Sequence, residues 1–373
     1  MLVIGGGPAG LAAARAAAHA GARVIVCDEN PAFGGDLRGM NDDSANIDGK
    51  ACATWIDEAV RDLSGSGDVT LLIRTTAFGY YDGNLVALSE RVADHLAAPL
   101  AHMPRQRMWK VRAGTVVLAS GAHERGIAYA GNDLPGTLLA GAARTYIDRH
   151  AVRPGSRAVV FTNNDSAYAA ALSLSRAAIA IGAIVDAREN SEITGALAVR
   201  AREHGIRIVS GSVVAAAHGS KRVTAVDIES LSGGRGTRVD WNPAVHLFSQ
   251  ARGSLRYDES LAAFVPERSP LAIVAAGGVN GCSDVGGALA DGHAAGLNAA
   301  AKAGFRGPAS YAAPHAEPVA PGRLRPLWSV PARDRSGKRF VDLQNDVTVS
   351  DIALAVREGY ESVEHLKRYT TLG

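Results

Sequence analysis

Three glycines near the start of the chain, Gly5, Gly7 and Gly10, stand at the spacing Gly-x-Gly-x-x-Gly, and an acid, Asp28, follows eighteen residues after the last of them. Residues of these types at this spacing can hold a dinucleotide. Gly5 permits a tight turn, Gly7 lets the backbone approach a pyrophosphate, and Gly10 lets a helix lie close on a strand. Pro8 and Ala9 open that helix, and the free N–H groups of its first turn face the anion. Asp28 is placed to accept hydrogen bonds from an adenosine ribose, a charge-assisted contact worth about 1.5–3 kcal/mol. The same carboxylate repels a 2′-phosphate, so NAD is favoured over NADP. Glu29 reads as a solvated neighbour of Asp28 within the same candidate site.

A chain rich in glycine and alanine matches the bare pattern by chance, so its context decides. Residues 1–4 form an apolar run that reads as a strand, 8–20 as a helix, and 23–27 as a second strand ending at Asp28. This is the order of elements that positions the glycines and the acid. The abrupt start at the first strand leads to the expectation of sequence upstream.

Further on, helices are expected at 55–63 and 85–96, with a strand at 69–78 between them and a buried strand at 114–118. A second strand, helix, strand unit follows at 158–162, 166–181 and 183–187. Where its glycine fingerprint would fall, the chain reads Thr162-Asn163-Asn164-Asp165-Ser166-Ala167-Tyr168. Side chains here bar the close approach of a pyrophosphate and Asp165 repels it, so this unit is read as unfit for NADH. Strands at 206–210, 223–229 and 271–276 and a helix at 283–303 complete the body. In the tail, Thr348 and Asp351 have the spacing of a capping box, opening one short helix, with a second at 362–369. The domain reading is a dinucleotide-binding domain of residues 1–125 plus 270–305, an inserted second Rossmann-like domain at 126–269, a linker at 306–337 and a helical module at 338–373.

Composition removes other classes. With 39 basic and 37 acidic residues and 47% apolar content, the chain of 373 residues is neither a disordered tail nor a basic nucleic-acid binder. Cys27, Cys52 and Cys282 lack the spacing of a zinc or iron–sulfur site, so no metal is expected, and they fit a reducing cytoplasm. No apolar run reaches the ~20 residues that cross a bilayer, so no membrane partner is expected. No Ser/His/Asp order or His-Glu-x-x-His helix stands out, and no catalytic residue is assigned. His123 reads as structural rather than as a proton shuttle.

Ala119-Ser120-Gly121 is similar to the Ala-Thr-Gly segment of the glutathione-reductase-like class, where the chain leaves the first domain beside the nucleotide. In that class a glycine pair such as Gly34-Gly35 passes the far side of the nucleotide, and FAD enzymes place an acid after the strand that corresponds to 271–276. Here that segment reads Ala276-Gly277-Gly278-Val279-Asn280, which favours NAD over FAD. Thr76, Ala77, Ser120, Gly121 and Gly278 complete the candidate contacts.

More specific stretches are Gly121-Ala122-His123-Glu124-Arg125, Asn132-Asp133-Leu134-Pro135-Gly136, the 162–168 segment, Trp241-Asn242-Pro243-Ala244-Val245-His246-Leu247, and 344–348 with 363–373. These strongly resemble the alpha subunits of heterotetrameric sarcosine oxidases, over essentially the whole chain. The resemblance implies a complex of four different subunits that demethylates sarcosine to glycine and passes electrons from FAD through FMN to oxygen. It implies FAD in a beta subunit, FMN at the alpha–beta contact, smaller subunits besides, and NAD in the alpha subunit at Gly5, Gly7, Gly10 and Asp28.

The chain departs from that family by lacking its leader and folate-binding regions, and by a missing strand just before Trp241. Its tail resembles an iron–sulfur helical module with Leu343-Gln344-Asn345-Asp346 in place of a Cys-x-Cys pair, hence without a cluster. Lys367, Arg368, Thr370 and Thr371 are the candidate contacts for the FMN phosphate. The fold class expected is α/β, a two-dinucleotide-binding-domain flavoprotein fold of glutathione/thioredoxin reductase type, with a small C-terminal helical module. The competing readings are a free-standing FAD-dependent pyridine-nucleotide oxidoreductase and a non-catalytic nucleotide-binding scaffold. The absence of Cys-x-x-Cys and the degenerate second fingerprint count against the first of these.

Overall fold

An apolar strand at residues 2–4 has to pair its backbone on both edges and bury both faces. In the computed structural model it does. The structure describes all residues except 41–45, 232–240, 307–310, 318, 320, 321, 323, 326 and 332–336. Leu2–Ile4 is the middle strand of a five-stranded sheet in the order Ile273–Ala275, Val116–Leu118, Leu2–Ile4, Val24–Cys27, Val69–Leu72. All neighbours are parallel, with Leu2 opposite both Ile25 and Val116.

Alternation along the strands splits the core into two layers. Val3, Val26 and Val117 face one side and pack against helices, whereas Leu2, Ile4, Val116 and Leu118 face the other. The helical layer consists of Pro8–His19, Cys52–Gly65 and Val285–Lys302. A Cβ on Gly292 or Gly296 would run into the backbone of Ala9 or Ala13, so small residues four apart on both helices let the first and last of them meet backbone to backbone. On Cys52–Gly65 the buried residues Cys52, Trp55, Ile56, Ala59 and Leu63 form a single stripe.

The other layer is a three-stranded antiparallel sheet of Thr75–Tyr81, Leu85–Arg91 and Gln106–Arg112. The helix expected at 85–96 is therefore replaced by its central strand. Its apolar run suits either conformation, and pairing on both sides, with Leu88 between Ala77 and Trp109, selects the extended one.

The chain divides into two compact units. The first comprises residues 1–123, 241–259 and 263–320, and the second 124–240, 260–262 and 321–373. Residues 241–259 and most of 260–269 thus group with the first unit, whereas the sequence reading assigned them to the inserted domain. The reason is burial: Leu247, Phe248 and Ala251 share a core with Ile273, Val279 and Leu118.

In the second unit Ala180–Asp186 lies between Arg157–Thr162 and Ile208–Val209 in a parallel sheet, followed by the hairpin of Ser212–Gly219 with Val223–Ser230. The strand at 212–219 has no counterpart in the sequence reading. The helix that starts at Ser166 ends at Arg176 rather than at 181, because Ala178 turns to φ +58° and the strand begins at Ala180.

The tail also belongs to the second unit, through Asn132, whose side-chain amide donates to the Phe340 carbonyl at 2.8 Å and accepts from its N–H at 2.9 Å. Its helices are Val349–Arg357 and Val363–Thr370. The capping box is formed: the Thr348 N–H donates to the Asp351 carboxylate at 2.8 Å, and the Asp351 N–H donates to the Thr348 hydroxyl at 3.3 Å. Among the described residues of the expected linker, Leu327 and Val330 are buried and Ala128 exchanges backbone hydrogen bonds with Trp328 and Val330, so this stretch is packed. The missing strand before Trp241 falls outside the described residues. Among the described residues no helix is long and apolar enough to cross a membrane.

Candidate dinucleotide site

The candidate site is built at the C-terminal ends of the parallel strands of the first unit. Gly5 has φ +100°, and a Cβ there would strike the Ala119 carbonyl, so the turn demands glycine. A Cβ on Gly10 would strike the Gly5 carbonyl oxygen, which fixes how closely the helix Pro8–His19 approaches the strand. Gly7, at the helix cap, is different: a Cβ there would meet only Gly35 Cα, at 3.8 Å. The space above Gly7 is a cradle that a side chain would fill, which is the fit a pyrophosphate needs.

Asp28 is 8% exposed. Its Oδ2 accepts from the Gly6 N–H at 2.7 Å, and its Oδ1 accepts from the Asn30 N–H at 2.8 Å and side-chain amide at 2.9 Å. The carboxylate thus fastens the glycine loop to the end of the second strand, and three of its roughly four acceptor positions are engaged. Asn30 was missed in the sequence; an acid followed two residues later by asparagine is the signal for this turn. Glu29 is exposed, with its carbonyl held by Arg91 at 3.0 Å.

Gly34 and Gly35 both have positive φ, and the Gly34 N–H donates to the Gly6 carbonyl at 2.7 Å. This pair therefore lies directly on the fingerprint loop. The Thr75 N–H donates to the Asp28 carbonyl at 2.8 Å, bringing the start of the next strand beside the acid; there Thr76 is exposed and Ala77 buried. After Val116–Leu118, the Ala119 N–H donates to the Ile4 carbonyl at 2.7 Å. The Ser120 hydroxyl donates to the Ala244 carbonyl at 3.0 Å, and the Gly121 carbonyl accepts from the Ala244 N–H at 3.0 Å. His123 is exposed.

Gly277, at φ +74°, starts the 3₁₀ turn Gly277–Asn280. A Cβ on Gly278 would sit 3.3 Å from Gly121 Cα, so a side chain there would force the two segments apart by a few tenths of an ångström. Asp291, absent from the sequence-derived set, holds this turn: its Oδ2 accepts from the Gly277 N–H at 2.8 Å and the Asn280 amide at 3.2 Å. Fourteen residues separate Asp291 from Gly277, and nothing local marked it.

Burial, and then the charge of Asp28, push the Cys27 thiol up to about 12; burial, and then Asp291, do the same for Cys282. Both are protonated at neutral pH and chemically quiet. Among the described residues no group of three or more His, Cys, Asp or Glu side chains is arranged to hold a metal ion.

Lys367, Arg368, Thr370 and Thr371 lie in the second unit, at the carboxyl end of Val363–Thr370. The Thr370 hydroxyl donates to the Leu366 carbonyl at 2.8 Å and the Thr371 hydroxyl to the Thr370 carbonyl at 2.6 Å. This is the negative end of the helix dipole, so any attraction for an anion comes from the two cations and not from the helix.

Residues 1–242 match the family described as Pyridine nucleotide-disulphide oxidoreductase, and residues 336–373 match the Sarcosine oxidase A3 domain. Over its whole length the chain is 42% identical to the sarcosine oxidase subunit alpha of Corynebacterium sp. (strain P-1) and covers 40% of that protein. The chain thus spans well under half the length of this curated relative. Among solved structures, an L-proline dehydrogenase from P. horikoshii is similar at TM-score 0.67 and 20% identity, over 100% of this chain and 69% of that one. Thioredoxin reductase from Lactococcus lactis is similar at TM-score 0.57 and 18% identity, over 81% of this chain and 97% of that one. These two likenesses speak for the fold alone, an α/β flavoprotein architecture; support for FAD/NAD-type dinucleotide binding comes from the family match over residues 1–242.

Proposed function

This chain belongs to the pyridine nucleotide-disulphide oxidoreductase family and has sarcosine oxidase alpha subunits as homologues over its full length, and from that premise we propose that it is the NAD-holding part of a multi-subunit secondary-amine oxidase. In this reading the complex demethylates sarcosine to glycine. A flavin-carrying beta subunit and smaller subunits complete it in the cytoplasm, electrons pass from FAD to FMN to oxygen, and the chain has no turnover alone.

The observation that carries the reading is the open cradle above Gly7, bounded by Gly35 and fastened through Gly6 to Asp28. Gly5, Gly7, Pro8, Ala9 and Gly10 would hold the pyrophosphate, Asp28 the adenosine ribose, and Gly34, Gly35, Thr76, Ala77, Ser120 and Gly121 the flanks. Gly278, standing where FAD enzymes of this type place an acid, supports NAD over FAD, and the segment is packed for the smaller residue, with Gly121 Cα 3.3 Å from where a Cβ would stand. When bound, NAD supplies a nicotinamide ring and a diphosphate. The residues here bind and orient it, and no side chain of the site is assigned a proton-transfer role.

The test is to purify the chain, record its visible spectrum and identify the released nucleotide by mass spectrometry. A colourless protein releasing NAD is expected; a yellow one releasing FAD would overturn the choice and favour the free-standing flavoenzyme. Asp28→Ala removes a charge-assisted contact of about 1.5–3 kcal/mol, so nucleotide affinity should fall roughly 10- to 150-fold. Full retention during dialysis would remove Asp28 from the site.

FMN at a subunit contact is the second part of the proposal. It is supported by the pair Lys367 and Arg368, neither of which enters an ion pair among the described residues. Replacing both by alanine in the assembled complex should lower its FMN content. Unchanged content would mean that the cations serve only the helix end.

A further inference from the structure

The strand, turn, helix, strand arrangement occurs in both units, and their turns can be compared residue by residue. Gly7 caps the helix Pro8–His19, and Asp165 caps the helix Ser166–Arg176, so Asp165 holds the place of Gly7 and Tyr168 that of Gly10. The acids at the ends of the second strands correspond too. Asp28 Oδ1 accepts from the N–H two residues on, at 2.8 Å, and Asp186 Oδ1 accepts from the Arg188 N–H at 2.9 Å.

The space left open in the first unit is taken up in the second. The Arg188 guanidinium is fully buried and pairs with Asp165 at 2.8 Å and Asp186 at 2.7 Å. The Tyr168 hydroxyl donates to Asp186 Oδ2 at 2.7 Å. A Cβ on either Gly195 or Gly322 would run into the Asp165 carboxylate, so two further segments close on it without side chains. Arg325 lies across the turn: its N–H donates to the Asn163 carbonyl at 3.0 Å, its carbonyl accepts from the Asn163 amide at 2.9 Å, and its guanidinium donates to the Ala187 carbonyl at 2.8 Å.

We propose that the Asp165 carboxylate is a built-in anion standing where the pyrophosphate of a dinucleotide would lie, with Arg188 as its counter-ion. The second unit is then a nucleotide cleft closed by its own side chains, which takes neither NADH nor NADPH from solution. This goes beyond the reading of the first unit and does not depend on what fills it.

The experiment is hydrogen–deuterium exchange on the full chain with NADH, NADPH or inorganic pyrophosphate, following the peptides that contain residues 163–168 and 186–189. In the unaltered chain none of the three is expected to protect these peptides. Protection by NADH or NADPH would overturn the proposal, and this arm needs no variant to fold. In Asp165→Ala the built-in anion is gone, and inorganic pyrophosphate at ten times its Kd should slow exchange at 163–168 about tenfold. A folded Asp165→Ala chain, judged by circular dichroism, whose exchange pyrophosphate leaves unchanged would also overturn it. Protection confined to residues 5–10 and 28–35 reports on the first unit, so the outcomes for the two units are read separately.

Discussion

Gly10→Ala is expected to yield a chain that purifies without nucleotide and unfolds at lower denaturant concentration than the unaltered protein. The added Cβ runs into the Gly5 carbonyl oxygen, and backbone cannot rotate away as a side-chain tip can. The helix Pro8–His19 must then lift from the sheet. Its other face is pressed on Gly292 and Gly296, which leave no slack for a shift. Overpacking of this kind costs about 1–3 kcal/mol. A nucleotide held at a hundred times its Kd adds about 2.7 kcal/mol to the stability of the unaltered chain, and that contribution goes as well. Urea unfolding and nucleotide content measure both. Gly65→Ala is the control, since a Cβ at Gly65 meets nothing within 4 Å; it should be neutral or stabilising by about 0.4–1 kcal/mol. Retention of a full equivalent of nucleotide by Gly10→Ala would remove the fingerprint from the binding site.

The second large effect belongs to Arg188. Burial alone would lower the pKa of this guanidinium, but the hydrogen bonds and charges of Asp186 and then Asp165 outweigh it and raise it, so the group stays charged. Burial, followed by the charge of Asp186, likewise raises the Tyr168 hydroxyl and keeps it a donor. Arg188→Ala strands the fully buried Asp186 and its neighbour Asp165. Removing one partner of a buried pair costs about 3–5 kcal/mol, so the second unit should unfold first and separately in a urea titration. Replacing Asp165, Asp186 and Arg188 together by apolar residues of similar volume should recover most of that stability, because no buried charge is left uncompensated. A Arg188→Ala chain as stable as the unaltered one would mean that the cluster is hydrated and carries little.

What could be read from the sequence rested on single residues with local consequences. Gly5, Gly7, Gly10 and Asp28 were legible because a positive φ, a missing Cβ and an acid at a strand end act over a few residues of chain. The Thr348–Asp351 capping box was legible because both partners lie within one turn. That the 162–168 turn lacks the glycine fingerprint was also legible, since Asn163, Asp165 and Tyr168 stand at the three positions that Gly5, Gly7 and Gly10 hold in the first unit.

The tertiary structure decided everything that depends on a distant partner. The run at 85–91 is apolar in a way that suits helix and strand alike, and only pairing with Thr75–Tyr81 and Gln106–Arg112 makes it a strand. Asp291 reaches the Gly277 turn from the far side of a helix start, and Arg325 reaches Asn163 across more than a hundred and fifty residues. Residues 241–259 join the first unit because their apolar side chains find a core there. Local conformation is set by the torsions and sterics of a few neighbours, so it is written in short motifs. A buried charge or a half-buried strand is stable only with the group that compensates it, and the fold alone brings that group near.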